Sequence, residues 1–301
     1  MDDSLHIKYL AINQTDLKWG LAVNSVGYQE IGAGMPYPPQ THPARYLFTV
    51  SRGRILNEYQ LLYITKGKGL FSSASIGKEK RIPIEAGDIF LLFPGEWHSY
   101  RPLEESGWME SWIGFQGRFI DDLIANSFFS KDKPILNVGI RSDIADLYQK
   151  AISIASSQES GFQQALSGLV GQLLGLAYYY DRNHIFKTSD VSDKINKAKI
   201  IINDDCISAK PEEIAESVCM GYSSFRKIFK EYTGFSPAQY VQNVRINKAK
   251  EILTNTNMTI KEIAIVLGYE NNDYFFTAFR KKVGRTPQEY RTLTQGKGLS
   301  F

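Results

Sequence analysis

Two stretches that share one grammar, 50 residues apart, constrain this chain more than anything else in its 301 residues. The later stretch, Ile263 to Arg291, is IAIVLGYENNDYFFTAFRKKVGRTPQEYR. Ile263, Ala264 and Leu267 lie on one face at helical spacing. Gly268 ends that helix, since Gly alone takes a left-handed cap without strain. Asn271, Asn272 or Asp273 can cap the next helix, whose buried stripe reads as Tyr274, Phe275, Ala278 and Phe279. Gly284 stops it, Thr286 caps, and Pro287 takes a first-turn position where its missing N–H costs nothing. The earlier stretch, Ile214 to Tyr240, repeats the pattern, with Gly234, Pro237 and Tyr240 each 50 residues before Gly284, Pro287 and Tyr290. Two copies are too few for a solenoid, so the spacing predicts a tandem pair of helix-turn-helix units.

Together the copies occupy roughly 110 residues and resemble the DNA-binding domain of AraC-type (AraC/XylS) regulators. Ala264, Leu267-Gly268-Tyr269, Tyr274-Phe275, Phe279-Arg280-Lys281 and Gly284-x-Thr286-Pro287-x-x-Tyr290-Arg291 carry the resemblance. The implied partner is promoter DNA. On a first recognition helix over Ser223–Tyr232, inward Phe225, Ile228 and Phe229 leave Ser223, Ser224, Arg226, Lys227 and Lys230 outward. Asn272 and Asp273 open the second recognition helix, and Thr277 lies one turn on. Arg226 can read guanine bidentately, Lys227 can reach guanine or phosphate, Asn suits adenine, and Asp suits a cytosine amino group. Arg280, Lys281 and Arg291 are read as phosphate contacts, which position without specifying. Any one of these basic residues could equally be a solvated helix face, except Arg226, whose place on the helix favours the DNA reading. A connecting helix over Pro237–Thr254, at about 1.5 Å per residue, spans about 27 Å. That suits two helices in successive major-groove segments, whose spacing is about 34 Å. Arg245 is read as a structural pair within that helix. Ser192 can cap a helix over Asp193–Asn203, and Pro211 opens the next.

Charge agrees in its placement rather than its size. Residues 191–301 carry 17 Lys/Arg against 12 Asp/Glu, while the remainder carries 18 against 20. The length predicts two domains. No run of about 18 apolar residues suggests a membrane span, and the acidic, mixed N-terminus does not read as a signal peptide. Cys206 and Cys219 form no disulfide framework or zinc pattern and read as buried thiols in a cytoplasmic protein.

The first half reads as strands. Tyr59–Gly69 alternates, with Leu61 and Tyr63 on one face, Leu62 and Ile64 on the other, and Gly67 and Gly69 as a turn. Arg81 to Tyr100 gives a strand, a Gly87-Asp88 turn, the apolar strand Ile89–Phe93, and a Pro94-Gly95 turn. Trp108 to Gly117 is a further strand with Trp108, Glu110 and Trp112 on one face. Short strands with Gly/Pro turns suggest a small barrel or jelly roll. Leu62-Tyr63-Ile64-x-x-Gly67-x-Gly69 and Ala86-Gly87-Asp88-x-x-Leu91-x-x-Pro94-Gly95-x-x-His98-x-Tyr100 resemble the cupin-like sensing domain of AraC-type proteins. By position, the resemblance implies ligand contacts from Arg52, Tyr100, Glu110 and Trp112. Glu110 stands where the arabinose-type sensors carry His, which points to a different sugar or orientation. Trp108 and Trp112 can instead be core, Arg52 surface, and His98 either a ligand contact or a hydrogen-bonded residue at the barrel rim. A cupin-like metal enzyme needs several His with a carboxylate; the chain has four His, and none in Tyr59–Thr65.

From Ile140 the period turns helical. Ile140–Ala155 and Phe162–Tyr180 form two amphipathic helices, whose stripe either packs on its own barrel or makes a homodimer contact. Asp181–Asp190 reads as a polar linker. The expectation is an α+β two-domain chain. A cupin-like ligand-binding domain with a helical pair fills 1–183, a linker 184–191, and an all-α domain of two helix-turn-helix units 192–301. The resemblance implies a homodimeric, cytoplasmic regulator with no cofactor and no metal. Its effector is a monosaccharide, or alternatively an aromatic or peptide-like ligand, and RNA polymerase is a possible further partner.

Overall fold

A computed structural model describes residues 5–38, 49–187 and 190–296. The chain divides into two compact units, between Ile185 and Phe186.

The first unit holds β1 (Leu5–Tyr9), α1 (Gln14–Lys18), β2 (Ala22–Ile31), β3 (Arg54–Ile55), β4 (Tyr59–Ser73), β5 (Ile82–Glu85), β6 (Asp88–Leu92), β7 (Trp97–Pro102), β8 (Trp108–Gln116), α2 (Arg118–Ala125), β9 (Ile135–Asn137), α3 (Ser142–Ser157) and α4 (Phe162–Lys187). One antiparallel sheet runs β1-β2-β8-β4-β6-β9. The far half of β4 leaves it to pair with β5 and β7, and β3 pairs with β7. This bend makes two faces from one long strand. The Gly67 and Gly69 predicted as a turn instead lie inside β4. A Cβ on Gly67 would stand 2.1 Å from the Gly107 carbonyl oxygen, and one on Gly69 2.4 Å from the Trp108 ring. The glycines admit close packing at the bend, which alternation alone does not distinguish from a turn.

Strand alternation sorts the side chains into two cores. Leu62, Ile64, Phe90, Leu92, Trp108 and Trp112 face the space between the sheets. Tyr59, Leu61, Tyr63, Ile89, Leu91, Ile113 and Phe115 face the other way and are covered by α3 and α4. So the stripe predicted on the helical pair does pack on its own barrel. A deeper tie occurs where β2 slips register between Val23 and Ser25. The buried Gln163 of α4 accepts from the Val23 N–H at 3.0 Å and donates to the Val23 carbonyl at 3.0 Å. A side-chain amide thus completes ladder bonds that the bulge leaves open. The run from Asp181, predicted as a linker, is helical to Lys187. Asp181 is buried, accepting from the Asn137 N–H at 2.9 Å and pairing with Lys133 at 2.8 Å.

The second unit holds α5 (Val191–Asp204), α6 (Pro211–Ser217), α7 (Tyr222–Thr233), α8 (Pro237–Asn255), α9 (Ile260–Val266), α10 (Asn272–Val283) and α11 (Pro287–Thr294). Two cores form, one per helix-turn-helix. Phe225 and Phe229 anchor the first, Phe275 and Phe279 the second, all fully buried. The long α8 serves both, giving Val241 to the first and Ile246, Ala249 and Leu253 to the second. Its Arg245 does not pair within the helix. It donates to the Cys206 and Ile207 carbonyls, each at 2.7 Å, and lies 5.7 Å over the Tyr269 ring. Gly268, at φ +72°, packs so closely that a Cβ would stand 2.8 Å from Ile207. Both repeat exits start on a capping box, Ser236 with Gln239 and Thr286 with Glu289. Cys206 is buried, but Cys219, at φ +54°, is exposed, contrary to the expected pair of buried thiols.

Candidate functional site

The space between the sheets ends in a polar, aromatic cluster. Glu110 projects into it from β8, opposite Gln29 of β2, and both are buried. Tyr37 Oη lies 3.5 Å from Glu110 Oε2, and the Tyr37 ring meets Trp108 edge-on at 5.7 Å and Tyr100 at 6.0 Å. Burial pushes the Glu110 carboxyl up to about 8, more than the nearby Arg54 pulls it down. At neutral pH it is therefore mostly an acid, able to donate as well as accept. Trp108 is 1% exposed and its indole Nε1 has no hydrogen-bond partner among the described residues. A buried donor of that kind costs about 1–3 kcal/mol unless a ligand or water accepts from it.

An arginine enters the cluster, but it is Arg54. Its Nη2 donates to Tyr100 Oη at 2.6 Å, and its Nε donates to His98 Nε2 at 3.2 Å. Since a guanidinium only donates, that ring nitrogen accepts, and the His98 proton sits on Nδ1, facing the Glu96 carbonyl at 3.1 Å. Burial, then the Arg54 charge, hold His98 down at about 3. His98 is thus a neutral, buried positioning residue for Arg54, not one at the rim. Arg52, the arginine chosen by position, is exposed. It lines a separate stretch of wall in a cavity of about 870 Å³ beside Tyr37, Gly53 and Arg54. Tyr100 is buried among Arg54, Tyr37 and Trp108. Trp112 is 6% exposed and lies flat on Gly27, where a Cβ would stand 2.1 Å from its ring. The inward face thus brings Tyr100, Glu110, Trp112 and His98 together, with Arg52 outside. The sequence pattern does not single out Arg54 or Tyr37. The alternation of β3 was too short to show which arginine points in, and Tyr37 lies in a Pro-rich stretch without periodicity. Among the described residues no three His, Cys, Asp or Glu gather as metal ligands.

The second unit presents two helices as an expected interface. On α7, Ser223, Ser224, Arg226, Lys227 and Lys230 are exposed while Phe225 and Phe229 are buried. On α10, Asp273, Thr277, Arg280 and Lys281 are exposed and Asn272 is half-buried. Asn271 provides the cap, its side chain accepting from the Asp273 N–H at 2.7 Å. Tyr274, predicted in the buried stripe, is 62% exposed, because Phe275 and Phe279 alone fill the inward positions four apart. Arg291, predicted on phosphate, turns inward instead and donates to the Leu253 and Met258 carbonyls, so it ties the end of α8 to α11.

Comparison with known proteins adds to this geometry. A family model described as an AraC-like ligand binding domain matches residues 44–178. One described as a helix-turn-helix domain matches residues 214–292. The lactose operon transcription activator of Staphylococcus xylosus is 26% identical over 259 residues, covering 82% of this chain and 86% of that protein. The raffinose operon transcriptional regulatory protein of Pediococcus pentosaceus is 24% identical over 250 residues, covering 81% and 88%. The arabinose operon regulatory protein of Escherichia coli is 26% identical over 256 residues, covering 81% and 84%. Among solved structures, the C-terminal domain of a response regulator from Geobacillus stearothermophilus is 30% identical, covering 35% of this chain and 88% of that one, at a TM-score of 0.33.

Proposed function

The chain belongs to the AraC type of transcription regulators, with an AraC-like ligand-binding domain and a helix-turn-helix DNA-binding domain, and from that premise we propose that a small sugar bound between its sheets controls carbohydrate-utilisation genes. The cluster of Tyr37, Arg54, Tyr100, Trp108 and Glu110 carries this reading. Sugars present C–H faces that stack on aromatic rings and hydroxyls that need fixed polar partners. A mostly protonated Glu110 and a Trp108 Nε1 without a partner among the described residues suit hydroxyls that accept and donate. Relatives named for lactose, raffinose and arabinose operons, each matched over about four-fifths of this chain, support the sugar class.

The ligand acts by its differential affinity for two arrangements of the DNA-reading units on promoter half-sites, with activation, in contact with RNA polymerase, as the expected direction. Dimerisation belongs to the same reading. The outer face of α4 leaves Ala165, Gly168, Gln172, Gly175 and Tyr179 exposed in register, a surface that lets a second helix approach closely. The reading is of a cytoplasmic protein; among the described residues no helix is long and apolar enough to cross a membrane.

Two titrations test it. Calorimetry of the full chain against mono- and disaccharides should give a hit that Glu110→Ala, which removes both the donor and the acceptor, weakens. A protein that binds its promoter but none of the sugars would sink the sugar assignment. In a gel-shift titration, Arg226→Ala should lose sequence preference while keeping the sugar response, and an unchanged preference removes Arg226 as a reader.

A further inference from the structure

The 870 Å³ cavity beside the sugar cluster is lined by Arg52, Arg54, Arg81 and Arg101, and by no Asp or Glu among the described residues. The arginines come from three places: the turn before and the start of β3, the approach to β5, and β7. Arg52, Arg81 and Arg101 form no ion pair among the described residues. Glu110, the carboxyl close enough to feel the Arg54 charge, is mostly protonated at neutral pH. Four arginines lining one cavity gather like charge, and the arrangement is costly until an anion enters.

Two of the guanidiniums, and the backbone that carries a third, are held in place before any ligand arrives. Arg81 Nη1 donates to Ser72 Oγ at 2.9 Å and to the Lys78 carbonyl at 2.6 Å. Arg54 is fixed by Tyr100 and His98. The turn carrying Arg52 is stapled to β7 from two sides. Trp97 Nε1 donates to the Arg52 carbonyl at 2.9 Å, and Ser99 Oγ donates to the Val50 carbonyl at 2.6 Å. Gly53, at φ +64°, lies so close that a Cβ would stand 2.4 Å from the Trp97 ring. Ordering long side chains before the ligand arrives lowers the entropy lost on binding. A planar fork that offers paired N–H groups matches the oxygens of phosphate or carboxylate.

We infer that the effector is an anionic carbohydrate whose phosphate or carboxylate is seated among Arg52, Arg54, Arg81 and Arg101, with its neutral ring directed toward Tyr37. The ring half of this statement rests on the sugar reading above; the anion half does not. Inorganic phosphate therefore probes the site without knowledge of the sugar. All four tryptophans, Trp19, Trp97, Trp108 and Trp112, belong to the first unit, so tryptophan-monitored unfolding of the full chain reports that unit and not the basic DNA-binding one.

At constant ionic strength, millimolar phosphate should raise the tryptophan-monitored midpoint above that in chloride. Arg81→Gln and Arg101→Gln should each weaken the effect about tenfold or more, and Arg280→Gln on α10 should leave it unchanged. Calorimetry then compares glucose and galactose with their 6-phosphates and uronic acids; the better anionic series identifies phosphate or carboxylate as the natural group. No phosphate effect beyond chloride, or one that survives both substitutions, overturns the anion site. A neutral sugar that binds as tightly as its charged forms overturns it too, while leaving the sugar sensor intact. Phosphate bound through these arginines, with no gain from any sugar ring, keeps the anion site and removes the sugar.

Discussion

Replacing Glu110 with Gln should stabilise the ligand-binding unit, and by an amount that depends on pH. The carboxyl ordinarily titrates at 4.5 and is pushed up to about 8 in the folded unit, chiefly by burial. A group whose folded pKa lies above its unfolded value binds more protons when folded. Its stabilising contribution is complete below 4.5 and is lost as pH rises toward 8. Each unit of difference is worth about 1.36 kcal/mol. Between pH 4.5 and pH 7 the wild-type unit thus loses roughly 3 kcal/mol that an uncharged isostere never gains or loses. Urea unfolding followed by tryptophan fluorescence isolates this unit. The midpoint gap between Glu110→Gln and wild type should widen steadily from pH 5 to pH 8 and then level off. A gap that stays constant over that range would show that Glu110 is ionised throughout, and would refute the account of a protonated acid in the pocket.

Other substitutions probe the supports. Gly53→Ala forces a side chain into the Trp97 ring at a left-handed φ; it should cost about 1–3 kcal/mol and weaken effector binding in calorimetry more than Arg52→Gln does. Gln163→Leu leaves the Val23 N–H and carbonyl at the β2 bulge without partners. It should cost about 2–4 kcal/mol in the same fluorescence titration, and a loss under about 0.5 kcal/mol would mean that water replaces the amide. Arg291→Ala should lower the thermal midpoint of the DNA-binding unit without changing the salt slope of DNA affinity, since its guanidinium is spent on the Leu253 and Met258 carbonyls; a salt slope reduced by about one would restore it as a phosphate contact.

The helical half was the more legible in the sequence. Its glycine stops, proline starts and Phe pairs act within one or two turns, so the local pattern carries the whole instruction. Tyr274 shows the limit, since period alone admits four inward positions on α10 and the core takes two aromatic rings there. The barrel was read through its alternation, which correctly separated Leu61 and Tyr63 from Leu62 and Ile64. What alternation cannot show is a partner distant in sequence. Gly67 and Gly69 look like a turn until Gly107 and Trp108 are brought beside them. Arg54 looks no different from Arg52 until His98 and Tyr100, more than 40 residues away, close on it.

The shared use of α8 has a consequence for the DNA rather than for the protein. One helix is embedded in both cores, and Arg245 and Gly268 lock its flanks. On the proposed reading, α7 and α10 therefore form a gauge of fixed length. Such a gauge cannot follow a change in the distance between the two segments it reads. With about 10.5 base pairs per turn, one inserted pair rotates the second segment by about 34° and moves it along the axis. Operator spacing is then as much a part of what is recognised as any base, and a drifting promoter loses this regulator by insertion as surely as by substitution.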